Sequence, residues 1–99
     1  MPIVSTTRWN IPQDDAQRIV RDTAPLLKQQ GASSVAIGRI HVGKNAGQTL
    51  VMVTYQDWES YGRAMQAQNS DQAFQKQFHE TLKAGKLLNR TVIVAEEIQ

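Results

Sequence analysis

The chain has 99 residues, with 11 lysines and arginines against 9 aspartates and glutamates, a formal charge of +2, and no cysteine. This length predicts one domain over residues 1–99, able to bury roughly 60–70% of its unfolded surface. The missing cysteine excludes disulfides and any thiol nucleophile or ligand. No apolar run approaches the roughly 18 residues of a membrane span, and Met1-Pro2-Ile3-Val4 lacks the basic-then-apolar order of a secretory leader. These features predict a cytoplasmic protein that neither enters a membrane nor, with its charges mixed along the chain, binds nucleic acid by electrostatics alone.

Residues 2–8 read as a first strand, because Ile3-Val4 and Thr6-Thr7 favour extended backbone. Alternation puts Val4, Thr6 and Arg8 on one face and Ile3, Ser5, Thr7 and Trp9 on the other. A helix follows from Pro12, which suits a first turn, with Asp14 and Asp15 at the positive end of its dipole. Ala16, Ile19, Val20, Thr23 and Leu27 recur at the spacing of a buried stripe, and Gly31 is the expected stop. Pro25 removes a hydrogen bond and crowds the Arg21 carbonyl, which predicts a kink near Arg21–Asp22 or a fresh turn from Thr23.

A second strand is expected over residues 34–42, with Val35, Ile37, Arg39 and His41 on one face and Ala36, Gly38, Ile40 and Val42 on the other. The small Ala36 and Gly38 suggest that theirs is the face a helix approaches. Gly43 to Gly47 is a glycine-rich turn, more economically a hairpin than a ligand loop. It leads into an antiparallel third strand over residues 48–55. Asp57 can cap the next helix, whose stripe is Trp58, Tyr61, Ala64 and Met65. Ser70 can cap a further piece carrying Phe74, Phe78 and Leu82 at i, i+4, i+8, and Gly85 ends it. Six Gln or Asn between Gln66 and Leu82 read as a solvated helix face. Residues 90–98 form the last strand, around Val92-Ile93-Val94.

The order is β-α-β-β-α-β with the second helix in two parts. That is a ferredoxin-like α+β fold with a four-stranded antiparallel sheet, helices on one face and the other bare. An RNA-recognition module would place rings on its central strands, but the third strand, Thr49-Leu50-Val51-Met52-Val53-Thr54-Tyr55, carries one aromatic, at its end. The alternatives for the bare face are a sheet-to-sheet homodimer and the side-by-side pairing of a small-molecule regulatory module.

The third strand leading to Trp58, the step Ser70-Asp71-x-x-Phe74 and the last strand over residues 91–97 resemble the dimeric α+β barrel superfamily, which includes antibiotic-biosynthesis-monooxygenase-like and NIPSNAP-like proteins. The resemblance implies a homodimer that closes two sheets into an α+β barrel, with a cavity between sheet and helices in each subunit. It admits activities from cofactor-independent oxygenation and haem degradation to none. Haem-degrading members resemble S-D-x-F-x-x-A-H on the last helix, with the histidine on iron and a tryptophan shortly before. Here Ser70-Asp71-Gln72-Ala73-Phe74-Gln75-Lys76-Gln77-Phe78-His79 spaces the histidine differently, and Gly62-Arg63-Ala64-Met65 stands where the tryptophan would be.

The candidate chemistry is therefore sparse. His41 and His79 are the only histidines and lie too far apart in sequence for a recognised metal motif, so no cofactor and no metal are expected. Arg39 can stabilise an anion or developing enolate and His41 can act as a base near neutral pH, making them the candidate catalytic pair. Arg8, Trp9, Tyr55 and His79 are candidates for substrate binding, against the plainer readings of ion pairs with Glu96 or Glu97, solvated strand ends and core packing of Trp58 and Tyr61. No Ser-His-Asp order, P-loop or G-x-G-x-x-G occurs. Two functions compete. One is a cofactor-independent monooxygenase-like enzyme acting on a small anionic or aromatic metabolite. The other is a non-catalytic dimeric binding or stress-related protein. Convergence of Arg8, Arg39, His41 and Tyr55 on one enclosed pocket would favour the enzyme.

Overall fold

The computed structural model describes residues 1–96 and 98. The elements run β1 (Ile3–Asn10), α1 (Gln13–Gln29), β2 (Ser34–Arg39), β3 (Thr49–Tyr55), α2 (Trp58–Ser70), α3 (Gln72–Ala84) and β4 (Lys86–Val94). The four strands form one antiparallel sheet in the order β2-β3-β1-β4, with β1 and β3 central, and the helices lie on one face. This is the ferredoxin-like α+β arrangement that the element order predicts.

Burial shows which face is covered. Ile3, Ser5 and Trp9 of β1 and Thr49, Val53 and Tyr55 of β3 are buried, while the alternating Val4, Thr6 and Arg8, and Leu50, Met52 and Thr54, are only half-buried. Directly paired residues in a sheet share a face, and Val35 pairs with Val53, Ile37 with Val51 and Arg39 with Thr49. The helices therefore meet Val35 and Ile37, not Ala36 and Gly38, which corrects the expectation from residue size. Val35 packs against the core there, while Ile37 on the edge strand stays 37% exposed. On the open face a Cβ at Gly38 would meet Met52 Cε at 3.7 Å, an ordinary contact.

Helix α1 is continuous through Pro25, contrary to the expected kink or restart. The proline stands one turn from the helix end and is exposed, so the freed Arg21 carbonyl can reach water. Gln30 closes the helix and Gly31 follows in the left-handed region at φ 115°, which glycine adopts without steric cost. Strand β2 ends at Arg39, so His41 lies in the connecting loop and not on the face shared by Val35, Ile37 and Arg39.

Asp57 caps α2 as expected, accepting the Ser60 amide at 2.8 Å. The cap of α3 is Asp71 instead of Ser70: its carboxylate accepts the Phe74 amide at 3.1 Å and the Gln30 side-chain amide at 3.2 Å. Ser70 closes α2 and donates back to the carbonyls of Gln66 and Ala67. Trp58, the first residue of α2, is 56% exposed with its ring set edge-on to Tyr61, and Leu82 is 44% exposed; neither joins the core. Strand β4 begins at Lys86, earlier than expected, and ends at Val94; of its anticipated end, Glu97 lies outside the described residues.

The core has two parts. Ile3, Leu27, Val53, Tyr55 and Ala64 pack under α2, and Trp9, Ile11, Ala16 and Ile19 pack under the start of α1. Val51 touches both. Between the two clusters the helices stand off the sheet.

A candidate ligand cavity between sheet and helices

The gap is a cavity of about 180 Å³. Its floor is the covered face of β1 and β3, its far wall is α1, and its roof carries Met65 from α2 and Phe74 and Phe78 from α3. Phe74 and Phe78 stack with ring centroids 6.3 Å apart, and Phe78 meets Trp9 edge-on at 6.4 Å. The i, i+4 spacing of the two phenylalanines, read in the sequence as a core stripe, here makes an aromatic roof over a space that core side chains do not fill.

The polar groups in this space divide by how well they are satisfied. Thr23 and Thr81 donate to their own helices, to Ile19 O at 2.7 Å and Gln77 O at 2.9 Å. Ser5 and Thr49 are buried on the floor, and Thr7 lies between them in the sheet. Tyr55 is only 1% exposed; burial raises its pKa, opposed by a hydrogen bond from Gln68 and by the charge of Arg90. At neutral pH it is an un-ionised hydroxyl.

Among the described residues, Arg90 is the one charged group lining the cavity. It stands opposite Thr7 in the β1–β4 pairing and on the helix side of the sheet. One guanidinium nitrogen reaches Tyr61 Oη at 3.1 Å and Met65 Sδ at 3.2 Å. Three ion pairs occur among the described residues, Arg18–Asp15, Arg63–Glu59 and Lys83–Glu80, and none involves Arg90. A guanidinium has five N–H donors, so most of those of Arg90 stay available. The cavity is thus mainly apolar, with one cation at its rim and a neutral phenol nearby. Such a site can hold an aromatic body and stabilise negative charge on an attached oxygen. No histidine or carboxylate among the described residues lines it.

A family model described as a domain of unknown function, DUF6854, matches residues 3–93. The chain belongs to this family. Comparison with curated proteins yields no match. Among solved structures, this DUF6854 chain is similar to SnoaB, a cofactor-independent oxygenase from Streptomyces nogalater, at 12% identity and a TM-score of 0.75, over 98% of this chain and 95% of that one. It is also similar to a NIPSNAP family protein from Agrobacterium tumefaciens, at 13% identity and a TM-score of 0.70, over 99% and 89%. A dimeric ferredoxin-like protein from an uncultured marine organism aligns at 18% identity and a TM-score of 0.65, over 97% of both chains. At these identities the likeness is one of fold, and it agrees with the superfamily resemblance carried by the element order.

Of the candidate residues named from the DUF6854 sequence, Trp9 and Tyr55 line the cavity. Arg8 lies on the opposite, open face and donates to the Gln48 side chain. Arg39 is on the helix side but at the sheet edge, where it donates to the Gln13 side chain beside a small groove of about 100 Å³. His41 is exposed in the β2–β3 loop, and His79 is exposed on α3 without lining the cavity. Arg8, Arg39, His41 and Tyr55 therefore do not converge. Among the described residues no three His, Cys, Asp or Glu side chains gather as a metal site, and no helix is long and apolar enough to cross a membrane.

Sequence reasoning passed over Arg90, Gln68 and Thr49. Arg90 was legible in principle: an antiparallel partner of β1 carrying a base on the Thr7–Trp9 face would have identified it. Starting β4 at Arg90 made that residue look like a strand end.

Proposed function

We propose that the chain is a cytoplasmic homodimer whose sheet–helix cavity binds a small aromatic molecule carrying an anionic or readily ionised oxygen, and that it acts on this molecule as a cofactor-independent monooxygenase. The observation that carries the reading is the pairing of a mainly apolar cavity of about 180 Å³ with Arg90 and Tyr55. An apolar cavity of roughly 150 Å³ accepts benzene, so this one suits one or two fused rings. Similarity to a cofactor-independent oxygenase supports the reaction class.

Without a cofactor, the electrons for dioxygen must come from the substrate, as an enolate or related carbanion. Arg90 and the un-ionised Tyr55 hydroxyl are suited to hold the enolate oxygen, lowering the cost of its ionisation. For a substrate with a methylene activated by a neighbouring carbonyl, the balanced change is one methylene and one dioxygen to one new carbonyl and one water. The methylene carbon loses four electrons and both of its C–H bonds. One oxygen atom enters the new carbonyl, and the other leaves as water with the two protons. The cavity stabilises the anion while solvent takes the first proton, since no histidine or carboxylate among the described residues lines it.

That missing base, together with the separate positions of Arg8, Arg39, His41 and Tyr55, supports a second reading, a binding protein of the same fold without catalysis. Oxygen uptake with 2-tetralone, a two-ring ketone with an activated methylene, separates the two. Uptake of one dioxygen per ketone consumed, unaffected by a chelator, supports the enzyme. Saturable binding without uptake supports the binding protein.

The homodimer rests on the open sheet face, where Val4, Leu50, Met52 and Ile93 lie with no other described element over them, and on similarity to a dimeric ferredoxin-like protein. The cysteine-free composition supports a cytoplasmic location.

A further inference from the structure

Thr7 and Trp9 share the cavity face of β1, and their side chains are joined: the indole Nε1–H donates to Thr7 Oγ1 at 2.7 Å. An indole N–H can only donate, whereas a threonine hydroxyl has one proton and two lone pairs. Trp9 is 6% exposed and held edge-on by Phe78, so its N–H direction is fixed by packing. One acceptor position of Thr7 is thereby occupied, and the Thr7 proton finds no protein acceptor among the described residues. The hydroxyl lies on the cavity floor, opposite Arg90 across the β1–β4 pairing. Side chains paired this way have Cβ atoms about 4.5–5.5 Å apart.

We propose that Thr7, oriented by Trp9, is a specificity-determining hydrogen-bond donor that selects ligands carrying a carbonyl-type acceptor oxygen beside the group held by Arg90. This rests on the cavity being the ligand site and adds to it a second, uncharged recognition element. Thr7 contacts the ligand, and Trp9 is a positioning residue acting through it. The ligand class narrows to aromatic ketones, acids or enolones with an acceptor oxygen directed at the floor; a phenol whose only oxygen lies at Arg90 satisfies the cation but leaves Thr7 unpaired.

The test uses two neutral probes of nearly equal shape, 2-acetylnaphthalene and 2-ethylnaphthalene, measured by titration calorimetry on the full chain. They differ in one carbonyl, and neither engages Arg90 through charge. The ketone-to-hydrocarbon affinity ratio of the wild type is expected to exceed that of a chain without the Thr7 hydroxyl by about two- to tenfold, the range of a single neutral hydrogen bond. Thr7→Val, made together with Trp9→Phe so that no indole N–H is left unpaired to take the ketone itself, is expected to abolish the preference. Thr7→Ser restores the preference, and Trp9→Phe, which keeps a ring but removes the N–H, reduces it. A preference that survives the combined Thr7→Val and Trp9→Phe change overturns the proposal. That outcome leaves the cavity reading standing. Binding of neither probe overturns the cavity reading, and this inference with it.

Discussion

Gly85 and Ile11 stand closer together than any side chain at position 85 would allow. A Cβ at Gly85 would lie 2.6 Å from Ile11 Cβ, 2.8 Å from Ile11 Cγ1 and 2.7 Å from the Asn10 carbonyl oxygen. The backbone at Gly85 is extended, with φ −166°, so the requirement is one of space and not of conformation. This contact joins the α3–β4 corner to the β1–α1 corner at the Trp9 end of the cavity, and the crowded atoms cannot swing aside. Gly85→Ala is therefore expected to cost about 1–3 kcal/mol, in the range of overpacked sites. Urea unfolding reads it directly, and an unchanged midpoint would show that the two corners are not pressed together.

Arg90 brings a positive charge to the cavity lining, and it is exposed at the rim. Replacing it with methionine keeps much of its stem and removes the charge. Arg90→Met is expected to weaken 2-naphthoate binding by about tenfold, the lower end for a charge-assisted hydrogen bond because the group is partly solvated. Binding of 2-ethylnaphthalene should stay the same. Arg90→Lys should fall between, since an ammonium lacks the planar fork. Equal losses for both probes would mean that Arg90 acts through packing.

Tyr55 makes a prediction about pH. Burial favours its neutral form, so its folded-state pKa lies above the ordinary value of 10.0. Below pH 10 the hydroxyl is protonated in both states and stability does not depend on it. Above that value the unfolded chain loses this proton first, binds fewer protons than the folded chain, and stability falls as pH rises. In Tyr55→Phe that component of the alkaline loss should disappear. Absorbance titration of the two tyrosines checks the same point, with Tyr55 expected to ionise late.

The two aspartate caps predict the opposite limb. Hydrogen bonds from the Ser60 amide to Asp57 and from the Phe74 amide to Asp71 hold both carboxylates below the usual range. Their contribution is present above the ordinary carboxylate pKa of 3.8 and is lost as pH falls through the depressed folded values. Asp71→Ala should lower the melting temperature at neutral pH and lower it progressively less as pH falls below 3.8 and the carboxylate takes up its proton. A constant difference across that range would show that ionisation of Asp71 does not contribute.

The open sheet face predicts the assembly. Met52 lies at its centre on β3, flanked by Thr6 on β1 and Ala36 on β2. A glutamate there would bury a charge in any sheet-to-sheet interface. The wild type is expected to sediment at twice the 11.1 kDa of one chain, and Met52→Glu at the single-chain mass with its circular dichroism retained. A wild type that sediments as a monomer at micromolar concentration would remove the dimer.

How much of this was legible beforehand follows the range of the forces involved. The strand and helix order, the Gly31 stop, the Asp57 cap and the alternation that puts Ile3, Ser5, Thr7 and Trp9 together are set by residues a few positions apart, and the sequence determined them. It could not decide which face of β2 turns inward, because Ala36 and Gly38 make a plausible helix-facing surface until pairing with buried Val53 settles the question. Nor could it place Arg8, Arg39 and His41 apart, or bring Arg90 beside Thr7 from 83 positions along the chain. Those outcomes depend on strand register and on where helices stand off the sheet. Both follow from packing between distant segments, and that packing left a cavity where a local reading of Phe74 and Phe78 expects a filled core.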